Sequence, residues 1–446
     1  MLLINVVMLI FFPFPITEPN LIWMVLGERL SEGLFLYQDV LEDTGPLSAG
    51  VFTGIHVLFG KNEVLYAILG RLLIFFQIIY WNNILIRYRV FDENTYLPSI
   101  IMAALFHFSF DMATLSPTLL GSTFLMLALG QLFSQTVLQK ETSESTLLIG
   151  IYGGLATGFD LNFVLFLPYI VFTGLAISGF SIRQLFLSLV GFFLPILLIL
   201  LFYFWNDSLH EALQAWPIIF TYEAYEYQPM LSWLTPGLVP IILALAGYFF
   251  GSFFRGATIN QQKQRQLIVL WLIFSGLFFF MVKRQAAYQL LIVIPSLTYL
   301  ITQFFLQFKT GTIARLGFTL LVFGLPFGGL AYWNNRIEVD KSYFVQPTIS
   351  DQLSNQGSVM VLGENCSSYL KHPLGGPFLN YHLTKTFLSG EKTLKQKSEL
   401  FEKLTDQKAD FILDQEGSFK ALLEELPALK EHYEEASTGI FLKIDN

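Results

Sequence analysis

Ionisable side chains are scarce in the apolar part of this sequence, and they stand beside the ends of its hydrophobic runs. Charge is costly in or near a bilayer, so such residues are usually paired or functional. One set lies near the outer ends of the predicted spans and in the loops that follow them: Glu18, Glu28, Glu32, Asp39, Glu42, Asp43, Arg71, Asp111, Asp160, Lys283 and Arg284. Carboxylates act as general bases, and arginine and lysine bind phosphate. The set predicts a site for a phosphate-bearing lipid substrate and a general base at one membrane face.

Several of these residues also have a purely structural interpretation. Asp111 and Asp160 each precede a helical stretch, where a carboxylate can cap the helix. Arg71 is followed by a long apolar run and can instead anchor its helix by reaching to the interface. Glu28 and Glu32 have the spacing of a solvated helix face, which we favour over catalysis for both. The sequence leaves both interpretations open for the two aspartates and the arginine.

Other chemistries lack a sequence signal. His107 and His210 have no metal-binding spacing around them, and no serine-hydrolase elbow, phosphate-binding loop or dinucleotide fingerprint is present. The single cysteine, Cys366, excludes a disulfide and is expected to be a half-buried thiol beside a strand. A net charge of -8 without a basic stripe disfavours nucleic-acid binding. We therefore predict no metal, no cofactor and no nucleic-acid partner.

The composition indicates which elements hold these side chains. The 446 residues are 54% hydrophobic and only 13% charged, with a mean hydropathy of +0.55. This balance predicts a polytopic α-helical membrane protein. Runs close to the ~20 residues that span a bilayer lie at 64–86, 116–134, 184–205, 236–254, 265–282, 286–307 and 314–333. Shorter runs at 1–15, 96–110, 145–158 and 161–178 bring the expected number of spans to about eleven.

The distribution of lysine and arginine predicts the orientation, because cytoplasmic loops retain positive charge. With the N-terminus inside, the inner loops carry Arg87, Arg89, Lys140, Arg183, Arg255, Lys263, Arg265, Lys309 and Arg315. The outer loops then carry Arg29, Lys61, Lys283 and Arg284. This nine-to-four division favours eleven spans, with the N-terminus inside and the C-terminus outside.

Two outer segments are long. The first, 16–62, contains apolar stretches that are too short to span the bilayer, and we expect Leu21–Leu30 and Leu47–Phe59 to form helices at the interface. The second, Asn206–Pro236, is acidic and tyrosine-rich and includes Tyr222 and Tyr225. The predicted topology places both segments in the same compartment.

The end of the chain differs in composition from the rest. Positions 336–446 hold 29 of the 60 charged residues, which predicts a soluble domain. Strand-like runs lie at Ser358–Leu362, Phe411–Asp414 and Ile440–Ile444, and helical stretches at Lys395–Leu404 and Ser418–Leu426. This alternation is typical of a small α/β domain. We therefore expect a transmembrane domain at 1–334 and a soluble extracytoplasmic domain at 335–446.

The order of several short motifs resembles the GT-C fold glycosyltransferases, especially the bacterial branch similar to protein mannosyltransferases and aminoarabinose transferases. In the first outer loop the resemblance rests on Glu18, Leu30 with Gly33, Tyr37 with Asp39, Gly45-Pro46-Leu47, Leu58-Phe59-Gly60 and Arg71-Leu72. Later it rests on Lys283-Arg284, Tyr288 and Leu290–Pro295, and in the tail on Val361-Leu362-Gly363 and Pro377-Phe378-Leu379-Asn380. The chain departs from the family at two places. It has Glu18 where the family usually has an aspartate, and it has Thr44-Gly45 where the family often has a lysine before the Pro-Leu element.

The resemblance implies transfer of a sugar from a polyprenyl-phosphate carrier to a lipid, glycan or protein acceptor at the outer membrane face. Glu18, with Asp39 and Asp43, is then the expected catalytic group, since the acceptor must lose a proton. The carrier phosphate is expected on Arg71, Lys283, Arg284 and Tyr288. Acceptor or sugar binding is expected at Asp111, Tyr222 and Tyr225. The carrier is already activated, so the reaction needs no nucleotide.

Two other functions remain open from the sequence. A catalytically silent protein of the same fold could serve as a scaffold or partner in envelope assembly. A transporter or lipid flippase is disfavoured, because no duplication of the span pattern and no matched pair of broken spans is visible. By topology and resemblance, we expect a bacterial inner membrane with the active face in the periplasm, and contacts with membrane lipids.

Overall fold

The structure, a computed structural model of the chain, describes residues 15–138, 143–253, 258–308, 311–337, 339, 342–345, 357–388 and 392–444. The predicted first span, 1–15, lies almost entirely outside these residues. The chain forms two compact units. The first, the membrane unit, comprises the described residues of 64–199 and 226–339. The second, the polar unit, comprises 15–63, 200–225 and 340–446.

Helices of 7 to 25 residues build the membrane unit. They are α3 (Glu63–Arg87), α4 (Leu97–Leu105), α5 (Pro117–Leu138), α6 (Ser143–Phe159), α7 (Leu167–Thr173), α8 (Ile182–Trp205), α10 (Met230–Phe253), α11 (Ile259–Met281), α12 (Ile294–Gln307), α13 (Thr312–Thr319) and α14 (Gly329–Arg336). Short 3₁₀ turns at Asp111–Ala113, Leu161–Phe166 and Ala287–Val293 connect them, and π-helical segments cover Gly174–Ser178 and Leu320–Gly328. Two short strands are β1 (Tyr225–Glu226) and β2 (Arg284–Gln285).

Eight helical segments of the described chain are long and apolar enough to cross a membrane. They are Glu63–Arg87, Pro117–Val137, Leu161–Ser178, Ile182–Trp205, Met230–Gly251, Ile259–Met281, Ala287–Gln307 and Thr312–Arg336. Each of them contains or overlaps a run predicted from the sequence. The run 96–110 holds only the nine-residue helix α4, and 145–158 lies in the 17-residue helix α6. The total of eleven spans and the orientation stay predictions.

Glycines allow α6 and α8 to pack closely. Gly150 and Gly154 lie one turn apart on α6, and a Cβ atom added to either would collide with the α8 backbone at Ser188 or Phe192. Small residues at this spacing let membrane helices approach until their backbones touch. This close contact between backbones therefore fixes the distance between the two helices of the membrane unit.

Replacing Gly154 with leucine is expected to destabilise the protein by about 1–3 kcal/mol, because α8 must move away to admit the side chain. Thermal unfolding of the detergent-solubilised protein measures the effect. Gly276→Leu is the matched control, since a Cβ there meets no atom within 4 Å. Equal melting temperatures for the two variants would show that the close approach does not matter to stability.

Helices, 3₁₀ turns and a sheet form the polar unit. Its helices are α1 (Glu18–Ser31), α2 (Pro46–Phe59), α9 (Leu209–Thr221), α15 (Tyr381–Leu388), α16 (Leu394–Asp406) and α17 (Ser418–Glu425). The predicted interfacial helices Leu21–Leu30 and Leu47–Phe59 correspond to α1 and α2. Helix α9 lies within Asn206–Pro236, which the sequence analysis treated as a loop.

The C-terminal sheet has the order β3-β4-β6-β5. Its strands are β3 (Val359–Leu362), β4 (Phe411–Asp414), β5 (Tyr433–Ser437) and β6 (Ile440–Lys443). β3 and β4 are parallel, whereas β4–β6 and β5–β6 are antiparallel. The predicted small α/β domain is confirmed. The strand β5 was not predicted. It is a mostly exposed edge strand, and its two glutamates mask the β-pattern and also protect the edge from pairing with other chains.

An ion-pair cluster makes α17 sensitive to acid. Glu425 accepts from Lys392 at 3.0 Å and from Lys397 at 3.1 Å, and these hydrogen bonds lower the pKa of the Glu425 carboxyl from its usual 4.5. A carboxyl group whose pKa is lower in the folded protein than in the unfolded chain stabilises the fold at a pH above the unfolded-chain pKa. This stabilisation is lost as the pH falls through the folded-state pKa.

We expect hydrogen exchange in α17 of the full chain to accelerate as the pH falls below about 4.5, after correction for the intrinsic exchange rate. In Glu425→Gln this acid-induced change should largely disappear, because the charge that responds to pH is gone. Glu424→Gln is the control, since the neighbouring carboxylate is exposed. The same acid response in both variants would contradict the assignment.

Candidate functional site

In the membrane unit, α3 approaches the turn Asp111–Ala113 closely. A Cβ on Gly70 would collide with the backbone of this turn, and the Leu115 N–H donates to the Tyr66 carbonyl at 3.1 Å. The next residue, Arg71, is only 5% exposed and donates from Nη1 to the Ala113 carbonyl at 3.1 Å. Arg71 is thus buried against the turn, which is a different placement from an interfacial anchor reaching out of the bilayer.

Asp111 links this turn to the segment that follows β2. Its Oδ2 accepts the backbone N–H of Tyr288 at 3.2 Å, and Asp111 and Tyr288 are both buried. Arg284 in β2 is also buried, at 5% exposed, while Lys283 is partly exposed. The structure therefore brings Arg71, Asp111 and Tyr288 together through Ala113, and Arg284 is four residues before Tyr288.

A second polar cluster of the membrane unit surrounds Thr118. Its hydroxyl lies 2.9 Å from Asp160 Oδ2 and 3.0 Å from Gln289 Oε1. Asp160 Oδ1 also accepts the backbone N–H of Asn162 at 3.1 Å, so Asp160 caps the 3₁₀ turn Leu161–Phe166. The capping interpretation therefore applies to Asp160. Gln289 was missed from the sequence because an amide in an apolar run carries no pattern.

An apolar cavity of about 390 Å³ lies in the same unit. Met112, directly after Asp111, and Leu290, two residues after Tyr288, are among its lining residues. Its walls also include Phe108, Trp233 and Leu297, and apart from the phenol of Tyr248 every lining side chain is a hydrocarbon, thioether, indole or glycine. The cavity thus adjoins the segments that hold the buried polar residues and suits a hydrocarbon chain.

In the polar unit, Glu18 is the first residue of α1. Thr17 caps the helix, with its hydroxyl 3.4 Å from the Asn20 N–H, and the Glu18 N–H donates to the Tyr343 carbonyl at 2.9 Å. The Glu18 side chain is 6% exposed, and its Oε1 lies 3.8 Å from Cys366 Sγ, a thiol–carboxylate hydrogen bond. A carboxylate in the first helical turn is favoured by the helix dipole.

Cys366 differs from the prediction of a half-buried thiol. It is 3% exposed, and it contacts Glu18 after the chain has passed through β3. The side chain is fully buried because the C-terminal domain packs against the start of α1 within the polar unit. No local pattern signals a contact between residues so far apart in sequence.

The two aspartates of the first loop have structural partners. Asp39 accepts the Phe35 N–H at 2.8 Å and the Gln407 side-chain amide at 3.3 Å, so it closes a turn and holds that turn to α16. Asp43 accepts the Tyr222 hydroxyl at 2.5 Å. Both stay predictions as catalytic residues, but the structure shows a positioning role for each.

Two further residues of the first loop, Glu42 and Tyr37, were not assigned a catalytic or binding role from the sequence. Glu42 is fully buried, and its carboxylate accepts the Thr44 N–H at 2.5 Å. Tyr37 has a positive φ of 73° and donates its hydroxyl to the Thr44 carbonyl at 2.9 Å. Burial raises the pKa of Tyr37 well above its ordinary value, so it remains a donor. Together they hold the loop just before Pro46, where α2 begins.

Tyr222 and Tyr225 lie close together after α9. The Tyr225 ring stacks on His382 of α15 at 3.5 Å between centroids, and Tyr222 is buried. The structure thus groups Glu18, Asp39, Asp43, Tyr222 and Tyr225 in the polar unit. It groups Arg71, Asp111, Lys283, Arg284 and Tyr288 in the membrane unit. Within the residues that the structure describes, no cluster of three or more His, Cys, Asp or Glu side chains could hold a metal ion.

Comparisons with known proteins agree with the predicted fold. No protein-family model matches the sequence, and no curated protein matches it significantly. Among solved structures, ArnT from Cupriavidus metallidurans bound to undecaprenyl phosphate is similar, with a TM-score of 0.51 and 13% identity. The match covers 95% of this chain and 93% of that chain, and ArnT is a GT-C aminoarabinose transferase. The chain is therefore a multi-pass membrane protein with the GT-C fold, as the resemblance in its sequence predicted.

Proposed function

We propose that this protein is a membrane glycosyltransferase that moves a sugar from a polyprenyl-phosphate carrier to an acceptor at the outer membrane face. One observation carries the proposal: within the membrane unit, an apolar cavity is lined by Met112, whose turn accepts a hydrogen bond from the buried Arg71, and by Leu290, six residues after the buried Arg284. A lipid phosphate requires such a pairing of cationic and apolar surroundings. The similar ArnT structure was solved with a lipid of this class bound.

The carrier phosphate is assigned to Arg71, Lys283 and Arg284, with Tyr288 beside them. A polyprenyl phosphate leaves as an anion, so donors placed where its charge develops lower the barrier to transfer. Burial strengthens this effect, because water does not screen the charges. The isoprenoid tail is assigned to the cavity beside Met112 and Leu290.

Removal of the acceptor proton is assigned to Glu18, as the general base. A bond forms between the acceptor oxygen or nitrogen and the anomeric carbon, while the bond from that carbon to the phosphate oxygen breaks. The carrier phosphate keeps the electron pair, and Glu18 takes the acceptor proton. Cys366 and the helix terminus hold the carboxylate in place. Asp43 and Tyr222 position the first loop, and we propose Asp111 and Tyr225 for binding of the sugar or acceptor.

Mass spectrometry of lipid-linked sugars and envelope glycans, in cells with and without the gene, tests this function. We expect a polyprenyl-phosphate sugar to accumulate without the gene, and one class of glycan to lose a residue. The predicted host is a bacterium in which the protein lies in the inner membrane with its active face in the periplasm. Unchanged lipid-linked sugars and glycans, with the protein demonstrably produced in the control, would favour a scaffold role instead.

A further inference from the structure

The polar unit contains a cavity of about 380 Å³ that none of the proposed catalytic or carrier-binding residues lines. Its walls come from three parts of the unit: the first loop at Tyr37 and Gln38, helix α9 at Glu211, and the C-terminal domain at Phe378 and Lys403. This volume is at the lower end of the range of small-molecule sites, ~300–1,000 Å³. The cavity differs from the apolar one in the membrane unit, because polar side chains make up much of its wall.

Two charged groups at this wall do not pair with each other. Lys403 is partly buried, and in the described part of the chain no carboxylate lies within ion-pair distance of its ammonium. The Oε2 atom of Glu211 is buried and accepts no hydrogen bond from any described residue. Burial lowers the pKa of Lys403, while the charges of Glu211, Asp39 and Glu399 act in the opposite direction. The ammonium and these carboxylates thus influence one another without direct contact.

A gap between an ammonium and a carboxylate suits a group that is both donor and acceptor. A hydroxyl can accept from Lys403 and donate to Glu211, and adjacent hydroxyls on one ring can do both at once. The amides of Gln38, Gln214 and Gln396 add further donors and acceptors to the wall. These groups match a ligand with many hydroxyls.

The net charge of the cavity wall and its aromatic side chains limit the chemical class of the ligand further. The wall carries Glu211 and Glu399 against Lys392 and Lys403, so its formal charges cancel. A ligand with a net charge would gain nothing from such a wall, and its desolvation would be costly. The rings of Phe378, Phe387 and Tyr37 supply flat apolar surface for the C–H face of a sugar.

We propose that this cavity binds an uncharged mono- or disaccharide unit, through Lys403 and Glu211 and the aromatic side chains of its wall. In the proposed function, on which this last step rests, that unit belongs to the acceptor, so the acceptor is a glycan rather than a protein. A zwitterionic amino acid or short peptide is the competing ligand, since it could also join Lys403 to Glu211. Such an amino acid or peptide would contact fewer of the three amides and three aromatic rings of the wall than a saccharide would.

Saturation-transfer NMR with the full chain in nanodiscs tests the proposal, using maltose, mannobiose and chitobiose as neutral probes and triglycine as the peptide probe. We expect transfer to at least one disaccharide and none to triglycine. Lys403→Met and Glu211→Gln should each raise the dissociation constant of that disaccharide at least tenfold, as measured by titration. Lys430→Met and Glu402→Gln are controls at exposed positions that do not line the cavity, and both should leave binding unchanged.

Removing the cavity cation should also raise the melting temperature of the unliganded protein, because Lys403 is charged in a partly desolvated place. A folded Lys403→Met variant without sugar binding separates loss of the site from loss of the fold. The proposal is overturned if triglycine binds in a way that depends on Lys403. It is also overturned if the affinity for disaccharides is unchanged by both Lys403→Met and Glu211→Gln. If disaccharides do not bind while undecaprenyl phosphate still does, only this inference fails. If disaccharides bind but no sugar transfer occurs in cells, the proposed function fails instead.

Discussion

Glu18→Gln is expected to lower the rate of sugar transfer by about 100- to 10,000-fold, the usual contribution of a general base. Glutamine keeps the size of the side chain and can still lie beside Cys366, but it cannot accept the acceptor proton. Transfer by the purified protein in nanodiscs, followed as release of polyprenyl phosphate by mass spectrometry, measures the effect. Binding of undecaprenyl phosphate should stay within about twofold of the unmodified protein, because Glu18 is assigned no contact with the phosphate.

Two further variants make this prediction specific. Glu18→Asp should retain measurable transfer, since it keeps a carboxylate at the start of α1. Glu32→Gln is the control, because this glutamate lies after the other end of the helix and is exposed, paired with Arg29 at 2.6 Å. Full transfer activity in a folded Glu18→Gln protein would exclude Glu18 as the base and leave the scaffold function as the better explanation.

Arg284→Ala is expected to weaken binding of undecaprenyl phosphate by about 10- to 150-fold. Hydrogen bonds to a charged group contribute about 1.5–3 kcal/mol, which corresponds to that change in dissociation constant. Arg284 is chosen because it is buried in the short strand β2, outside the long helices. A titration of the lipid against the purified protein, read by native mass spectrometry, gives the affinity.

The matched control for this variant is Arg315→Ala, which removes an exposed arginine from α13. It should bind the lipid as tightly as the unmodified protein. Arg284→Lys should recover part of the affinity, since it restores a positive charge without the planar donor pair. Equal affinity of the Arg284→Ala and Arg315→Ala variants for the lipid would exclude Arg284 as a contact of the carrier phosphate.

Much of the architecture follows from the chemistry of the sequence. All eight candidate spans coincide with runs of apolar residues, because the cost of exposing polar groups to lipid dominates every local preference. The strands β3, β4 and β6 also stand out, since their apolar residues sit in a charged tail. β5 and α9 do not stand out. β5 is mostly exposed and carries two adjacent glutamates, and α9 lies in a segment whose acidic and tyrosine-rich composition is typical of a loop.

The candidate site is only partly visible in the sequence. Residue type and position beside an apolar run are enough to select Glu18, Arg71 and Arg284. They do not reveal that Asp111 accepts the Tyr288 N–H, or that Cys366 lies against Glu18, because these contacts depend on how distant segments fold together. Asp39 stays a prediction as a catalytic residue: it was selected because it lies in a resembling motif, and the sequence does not reveal that its carboxylate accepts the Phe35 N–H.

A cryo-electron microscopy structure of the protein with undecaprenyl phosphate tests the central claim most directly. We expect phosphate density within hydrogen-bond distance of Arg71 or Arg284, and continuous isoprenoid density in the apolar cavity beside Met112 and Leu290. Lipid density bound at another site, with this cavity and the two arginines free of lipid at saturating undecaprenyl phosphate, would contradict it.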